Sequence, residues 1–269
     1  MCLILFSFKA SKSWPLVLAA NRDEFYSRPT APMDFWDESP SILAGRDLEQ
    51  GGTWLGIHAR GRFAALTNYR EPTQVRKNAP SRGSIIPEFL ESRGKIRDFL
   101  KILDRGADLY NGFNLLAGEI RNRDIILYWY SNRARETVLV SPGIHGLSNC
   151  FLDTDWPKVS RGKAMLEQAL NPDKGHERKK EPSRLDKKNL FTILEDSQQP
   201  EDSKLPNTGV GIEWERILSP LFVQSPTYGT RSSTLLTINR DGEFAVTERS
   251  HFPGVPAKDP DRQFRFRPD

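Results

Sequence analysis

The sequence predicts an α+β protein built on antiparallel sheets. Three observations carry this expectation. Short apolar runs of strand length fall in two groups, helical periodicity lies between them, and turn residues join neighbouring runs at hairpin distance. There is no Gly-x-Gly-x-x-Gly, no P-loop and no internal repeat, so parallel βαβ construction is not favoured. No composition shift marks a boundary, and a single domain over residues 1–269 is expected, with a polar, lysine-rich loop at about 171–189.

Taken in order, the chain opens with the run Leu3-Ile4-Leu5-Phe6 behind Cys2. A second run, Leu16-Val17-Leu18-Ala19-Ala20, ends in Asn21-Arg22-Asp23-Glu24, and residues 9–15 between the two carry Lys, Ser, Trp and Pro. This reads as a hairpin whose second strand ends in a polar turn. Arg28-Pro29-Thr30-Ala31-Pro32 is expected to be an extended, proline-stiffened loop. Strands over 42–47, 53–57 and 62–69, broken by Gly51-Gly52, form a meander. Ser84 can cap a helix carrying Ile85, Ile86, Phe89 and Leu90, and Ile96, Phe99, Leu100 and Leu103 mark a second helical stripe. Strands resume over 113–117, 125–130 and 137–140, the last running through Pro142-Gly143 toward Asn149. Helices follow over 157–170, 185–194 and 213–218. A hairpin closes the chain, its strands over 228–238 and 243–248 joined by Asn239-Arg240-Asp241-Gly242.

Composition excludes several classes. The 39 basic and 35 acidic residues are scattered, with a net charge of +4, and no zinc spacing, helix-turn-helix or RNP-like motif accompanies them. Nucleic-acid binding is therefore not expected. Two cysteines, Cys2 and Cys150, argue against a disulfide framework and for a reducing compartment. No apolar run approaches the ~20 residues of a membrane span, and a cytoplasmic location is expected. Lys174, Lys179, Lys180, Lys187 and Lys188 in the polar stretch form either a solvated loop or a phosphate-binding patch.

Position makes Cys2 the candidate nucleophile. Removal of Met1 would leave a thiol and an α-amine on one residue. The amine, with a reference pKa of about 7.7–8.0, is a suitable general base for its own thiol. The alternative is a small buried hydrophobe. Other polar residues stand at strand ends, where active-site groups are often presented: Asn21, Arg22, Asp23 and Glu24; Asn68; Asn149; and Arg231, which is either a site residue or a surface ion-pair partner.

Cys2-Leu3-Ile4, Asn21-Arg22-Asp23-Glu24-Phe25, Ala44-Gly45-Arg46-Asp47, Gly51-Gly52-Thr53-Trp54-Leu55-Gly56 and Tyr228-Gly229-Thr230-Arg231-Ser232 together resemble the NRDE family, that of the transport and Golgi organisation protein 2. That family resembles N-terminal-nucleophile hydrolases of the penicillin V acylase and bile salt hydrolase group. The resemblance implies a four-layer αββα sandwich of two antiparallel sheets. It implies Cys2 as nucleophile, Asp23 on the α-amine, Asn68 and Asn149 as oxyanion contacts, and Arg231, with Arg22, favouring the thiolate. Asn21, Arg22, Glu24, Arg46 and Trp54 are the implied substrate-binding residues. Arg22 and Asp23 are adjacent, and neighbours in a regular strand face opposite sides, so both reach Cys2 only if the strand has ended there. The implied reaction is cleavage of a linear amide or thioester, with no metal or cofactor required. The resemblance also implies an alternative, haem trafficking or acyl-CoA and lipid binding in the same cleft. Cys2, His58, His145, His251 or a Tyr would then be the axial ligand.

Overall fold

The structure is a computed structural model that describes residues 2–122, 124–171, 185–251 and 261–268. The first half carries strands β1 (Cys2–Phe8), β2 (Leu16–Phe25), β3 (Thr30–Trp36), β4 (Ser39–Asp47), β5 (Leu55–His58) and β6 (Arg62–Asn68), then helices α1 (Ile85–Glu91) and α2 (Ile96–Arg105). Strands β7 (Phe113–Arg121), β8 (Asp124–Ser131), β9 (Glu136–Leu139) and β10 (Gly143–Leu147) follow. Helices α3 (Pro157–Leu170), α4 (Lys187–Leu194) and α5 (Ile212–Ile217) precede β11 (Tyr228–Ile238), β12 (Phe244–Ser250) and β13 (Arg262–Phe266).

The strands form two sheets, in the order β10-β1-β2-β11-β12-β13 and β3-β4-β5-β6-β7-β8-β9. All pairings are antiparallel. Side-chain alternation divides each strand between two cores. Ile4, Phe6, Leu16, Leu18, Ala20, Leu236 and Ile238 of the first sheet meet Leu55, Ile57, Phe63, Ala65 and Leu116 of the second. The other faces of β1 and β2, Leu3, Leu5, Val17 and Ala19, pack under Val159 and Leu166 of α3 and Leu190 and Phe191 of α4. Ile42, Ala64, Leu66 and Leu115 pack under Ile86, Phe89 and Leu90 of α1 and Leu100 of α2. The layer order is therefore helix, sheet, sheet, helix, the expected αββα sandwich. Cover on both faces explains why all seven residues of β1 are buried, giving a continuous apolar run rather than an alternating one.

Four local expectations need correction. Asn21-Arg22-Asp23-Glu24 is not a turn but the end of β2, because β11 pairs with it as far as Tyr228 opposite Phe25; a partner ladder overrides the turn preference of these residue types. Residues 30–36 are strand rather than loop, and Pro32 is tolerated there because β3 is an edge strand. The run from β9 does not continue into residues 144–149: the chain crosses at Pro142-Gly143 to β10 in the other sheet. Ser84 stands at the N-cap of α1 but its side chain accepts no capping bond; Ser81 caps the preceding 3-10 turn by accepting from Gly83 N. Of the expected lysine-rich loop, residues 172–184 lie outside the described residues, while Lys187 and Lys188 open α4. Among the described residues no helix is long and apolar enough to cross a membrane.

Candidate active site around Cys2

A cavity of about 410 Å³ opens where the N-terminal end of β1, the C-terminal ends of β2, β4 and β6, and the loop 77–83 come together. Cys2 lines it from the start of β1, directly opposite Arg22 of β2 in the ladder. Register partners project to the same face, so Cys2 and Arg22 continue the inter-sheet row of Ile4, Phe6, Leu18 and Ala20 past its apolar end. The expectation that β2 must end for Arg22 and Asp23 both to border the site is not met. The strand runs on to Phe25, Arg22 faces the sheet interface, and Asp23 faces the helices.

Arg231 owes its position to a β-bulge. Asp23 pairs with Thr230 and Arg22 with Ser232, leaving Arg231 as the extra residue of β11. A bulge re-aims the side chain it carries, and Arg231 turns into the cavity. There its Nη1 donates to Phe25 O at 2.8 Å, Arg28 O at 3.0 Å and Tyr26 O at 3.3 Å, clamping the turn after β2.

Asp23 is buried; its Oδ1 accepts from Thr230 Oγ1 at 2.8 Å, and its carbonyl accepts from Tyr228 Oη at 2.9 Å. Burial raises the Asp23 carboxyl above the ordinary aspartate value, opposed most by the Lys158 ammonium. Lys158 is itself brought down to about 8 by burial, with its Nζ donating to Leu218 O at 3.0 Å. Burial also raises the Cys2 thiol, reinforced by the Asp23 charge and opposed by Arg22. Arg22 lowers the thiol, as expected of an arginine there, but desolvation outweighs charge and the net direction is upward.

Of the residues singled out in the sequence, Cys2, Arg22, Asp23, Glu24, Arg46, Trp54, Asn68 and Arg231 line this one cavity. Two do not. Asn21 lies on the helix-facing side of β2, its Nδ2 donating to Leu194 O at 2.8 Å and Leu221 O at 2.9 Å and its Oδ1 accepting from Ser233 Oγ. It ties helix α4 to the sheet. Asn149 is buried behind the cavity wall and spends an Nδ2–H on Asn68 O at 2.9 Å, so it positions Asn68. Arg46 borders the cavity, but its guanidinium stacks 4.5 Å from the Trp36 ring and pairs with Glu38. His58 accepts from Arg60 N, and His145 sits between Asp153 and Ser141 O; neither lines the cavity, whereas His251 does. Among the described residues no cluster of three or more His, Cys, Asp or Glu could hold a metal ion.

Sequence reasoning missed Arg28, Arg82 and Glu248 on the wall and Lys158 beneath Asp23. Lys158 stands in the first turn of α3, where a lysine ordinarily signals a solvated face, and Glu248 lies within β12, two residues before its end. Nothing local distinguishes them. Arg82 had a usable signal in the glycine beside it, Gly83, which lies against Gly52.

The layers and the cavity define an αββα protein whose first strand presents a cysteine to a polar cleft. Residues 1–253 match the family described as Transport and Golgi organisation 2. The chain is 36% identical over 274 residues to the Bos taurus transport and Golgi organization protein 2 homolog, covering 96% of each. It is 37% identical over 266 residues to the Homo sapiens homolog, covering 93% of each, and 25% identical over 277 residues to the Drosophila melanogaster protein, covering 93% of this chain and 92% of that one. The chain belongs to the transport and Golgi organisation 2 family. Among solved structures it is similar to a Caenorhabditis elegans N-acylethanolamine-hydrolyzing acid amidase ortholog, at 10% identity and TM-score 0.47 over 87% of this chain and 92% of that one. It is also similar to a mutant conjugated bile acid hydrolase from Clostridium perfringens, at 10% identity and TM-score 0.45 over 98% and 92%.

Proposed function

We propose that the chain is a hydrolase of linear amides or thioesters in which Cys2, freed of Met1, is the nucleophile. The observation that carries this reading is the placement of Cys2 in the cavity wall opposite Arg22, with Asp23 next along the same strand. A thiol raised by burial is a poor resting thiolate, so its proton must leave during attack, to a base within reach. The α-amine of the same residue is that base, and Asp23, with Lys158 behind it, holds the amine over the sulfur.

The steps balance without a cofactor. The Cys2 sulfur bonds to the acyl carbon while its proton passes to the α-amine and the carbonyl electrons move to oxygen. The oxyanion is met by polar groups of Asn68, whose peptide Asn149 fixes; one such donor is typically worth about 10²–10³ in rate. Collapse expels the amine or thiol, which takes the proton from the α-ammonium, and leaves an acyl-thioester on Cys2. Water, deprotonated by the same amine, then releases the acid and restores the thiol. A panel of acyl-CoAs and N-acyl amino acids tests the reading. Cys2→Ala abolishes release of acid, and Asp23→Asn lowers kcat by about 10²-fold or more through misplacement of the base. Turnover that survives Cys2→Ala would refute the mechanism.

One observation favours a second reading, haem or acyl-CoA binding and delivery without turnover. His251 shares the cavity with Cys2, its Nε2 2.9 Å from Ser233 Oγ, and would supply an axial nitrogen. Against it stands the lining, rich in charged groups, where a haem would need an apolar cleft. A saturable Soret change lost in His251→Ala would decide for binding.

A further inference from the structure

The cavity wall carries six cations, Arg22, Arg28, Arg46, Lys77, Arg82 and Arg231, and five carboxylates, Asp23, Glu24, Asp47, Glu49 and Glu248. The near balance is deceptive, because most of these charges answer one another. Arg28 holds Asp47 at 2.7 Å and Glu49 at 3.6 Å, and Arg46 holds Glu38. Glu24 lies 4.0 Å from both Arg22 and Arg28, and Glu248 turns inward to accept from Met33 N at 2.6 Å. Lys77 is exposed.

Arg82 and Arg231 are different. Both are half-buried and both line the cavity, yet neither makes a salt bridge among the described residues. Arg82 gives one Nη1–H to Gly112 O at 2.8 Å. Arg231 bonds through its Nη1, to backbone carbonyls alone. Each leaves guanidinium N–H groups outside these bonds at the cavity wall, Arg231 on the β11 bulge and Arg82 on the loop before α1, and Glu24 is an electrostatic neighbour of both. Arg82 also lies within electrostatic reach of the Cys2 sulfur and of Glu24.

The placement of Arg82 is built into the backbone. Thr53 N donates to Gly83 O at 3.1 Å, and a Cβ on Gly52 would fall 2.4 Å from the Gly83 carbonyl carbon. Only a glycine at 52 lets the two loops lie this close. The Gly51-Gly52-Thr53-Trp54 stretch thus seats the neighbour of Gly83, Arg82, over the cavity beside Cys2.

We propose that Arg82 and Arg231 together receive a carboxylate or another oxyanion group of the ligand, so that the compound presented to Cys2 is an acyl compound bearing negative charge. A planar guanidinium fork suits such a group. The inference rests on the reading of this cavity as the substrate site, though not on turnover.

Alkylation of Cys2 tests it without a known substrate. Iodoacetate and iodoacetamide both react by attack of the sulfur on the CH₂ carbon, forming a thioether and releasing iodide, with the thiol proton passing to buffer. They differ in charge, so the ratio of their rates reports anion reception and cancels any change in thiolate fraction. In a Cys150→Ser background the iodoacetate-to-iodoacetamide ratio at Cys2 exceeds that of free cysteine by on the order of tenfold. Arg82→Gln and Arg231→Gln each lower it, Arg82→Lys lowers it less, and added sulfate at constant ionic strength slows iodoacetate selectively. A ratio at or below that of free cysteine in the unmutated site overturns the proposal, as does an unchanged ratio in Arg82→Gln or a Cys2 that neither reagent reaches. Alkylation needs neither loss of Met1 nor hydrolysis, so a high ratio in a chain without turnover would leave the anion site standing and remove only the hydrolase.

Discussion

Arg231 touches three carbonyls and still faces the cavity because β11 carries one residue more than β2 at that point. The sequence marks Arg231 as unusual only by its isolation among uncharged neighbours; the bulge that aims it is a property of pairing with a strand 200 residues away, invisible to any local pattern. Asn21 and Asn149 show the converse. Both stand at the strand ends where active-site groups gather, and both are consumed by carbonyls, at Leu194 and Leu221 for one and Asn68 for the other. Residue type and position marked them; only contacts reveal that they hold the site rather than face it. His251 gives a measurable consequence. Burial lowers its pKa from 6.5 to about 4, so between those values the unfolded chain binds a proton that the folded chain does not. Stability therefore falls as pH drops through this window, by about 1–2 kcal/mol after allowance for solvent at a half-buried ring. Urea midpoints at pH 7 and pH 4.5 check this: the pH dependence shrinks in His251→Asn, and equal dependence in both proteins would contradict it.

At the scale of elements, strands and helices were largely legible because apolar periodicity sets them. Helix α3 spans Pro157–Leu170, as its proline start and apolar spacing suggest. The local pattern fails where partners decide: the prolines of β3 suggest a loop, and the arginines of β13, a short edge strand, hide a strand. The Gly51-Gly52 break was read only as punctuation between strands. In the structure Gly52 allows two loops to meet, with Gly83 across from it. Gly52→Ala forces backbone against backbone and is expected to cost about 1–3 kcal/mol, seen as a lower urea midpoint. It should also lower the iodoacetate preference at Cys2 by displacing Arg82. A variant of unchanged stability and preference would show that this contact is not what seats the loop.

Across the whole molecule, the sandwich brings segments near residues 2, 22, 82 and 231 to one end of two packed sheets. Beneath them lies a second charged layer. Arg70 pairs with Glu215 at 2.7 Å, both side chains 4% exposed, and stacks 4.7 Å from the Trp156 ring. Lys158 lies within electrostatic reach of both this pair and Asp23. Buried charges of this kind cost desolvation, and their position under Asp23 fits a role in fixing its ionisation. The antiparallel pairing followed from hairpin spacing, whereas the four layers and the convergence on Cys2 followed from resemblance to a family. The most direct test is the mass of the N-terminal peptide of the protein isolated from cells, taken after a brief exposure to an acyl-CoA and an acid quench. The expected peptide begins at Cys2 and carries the acyl group as a thioester that disappears on longer incubation. A peptide that begins at Met1, or a Cys2 that stays unacylated across the acyl-CoA series, would contradict the assignment of Cys2 as the nucleophile.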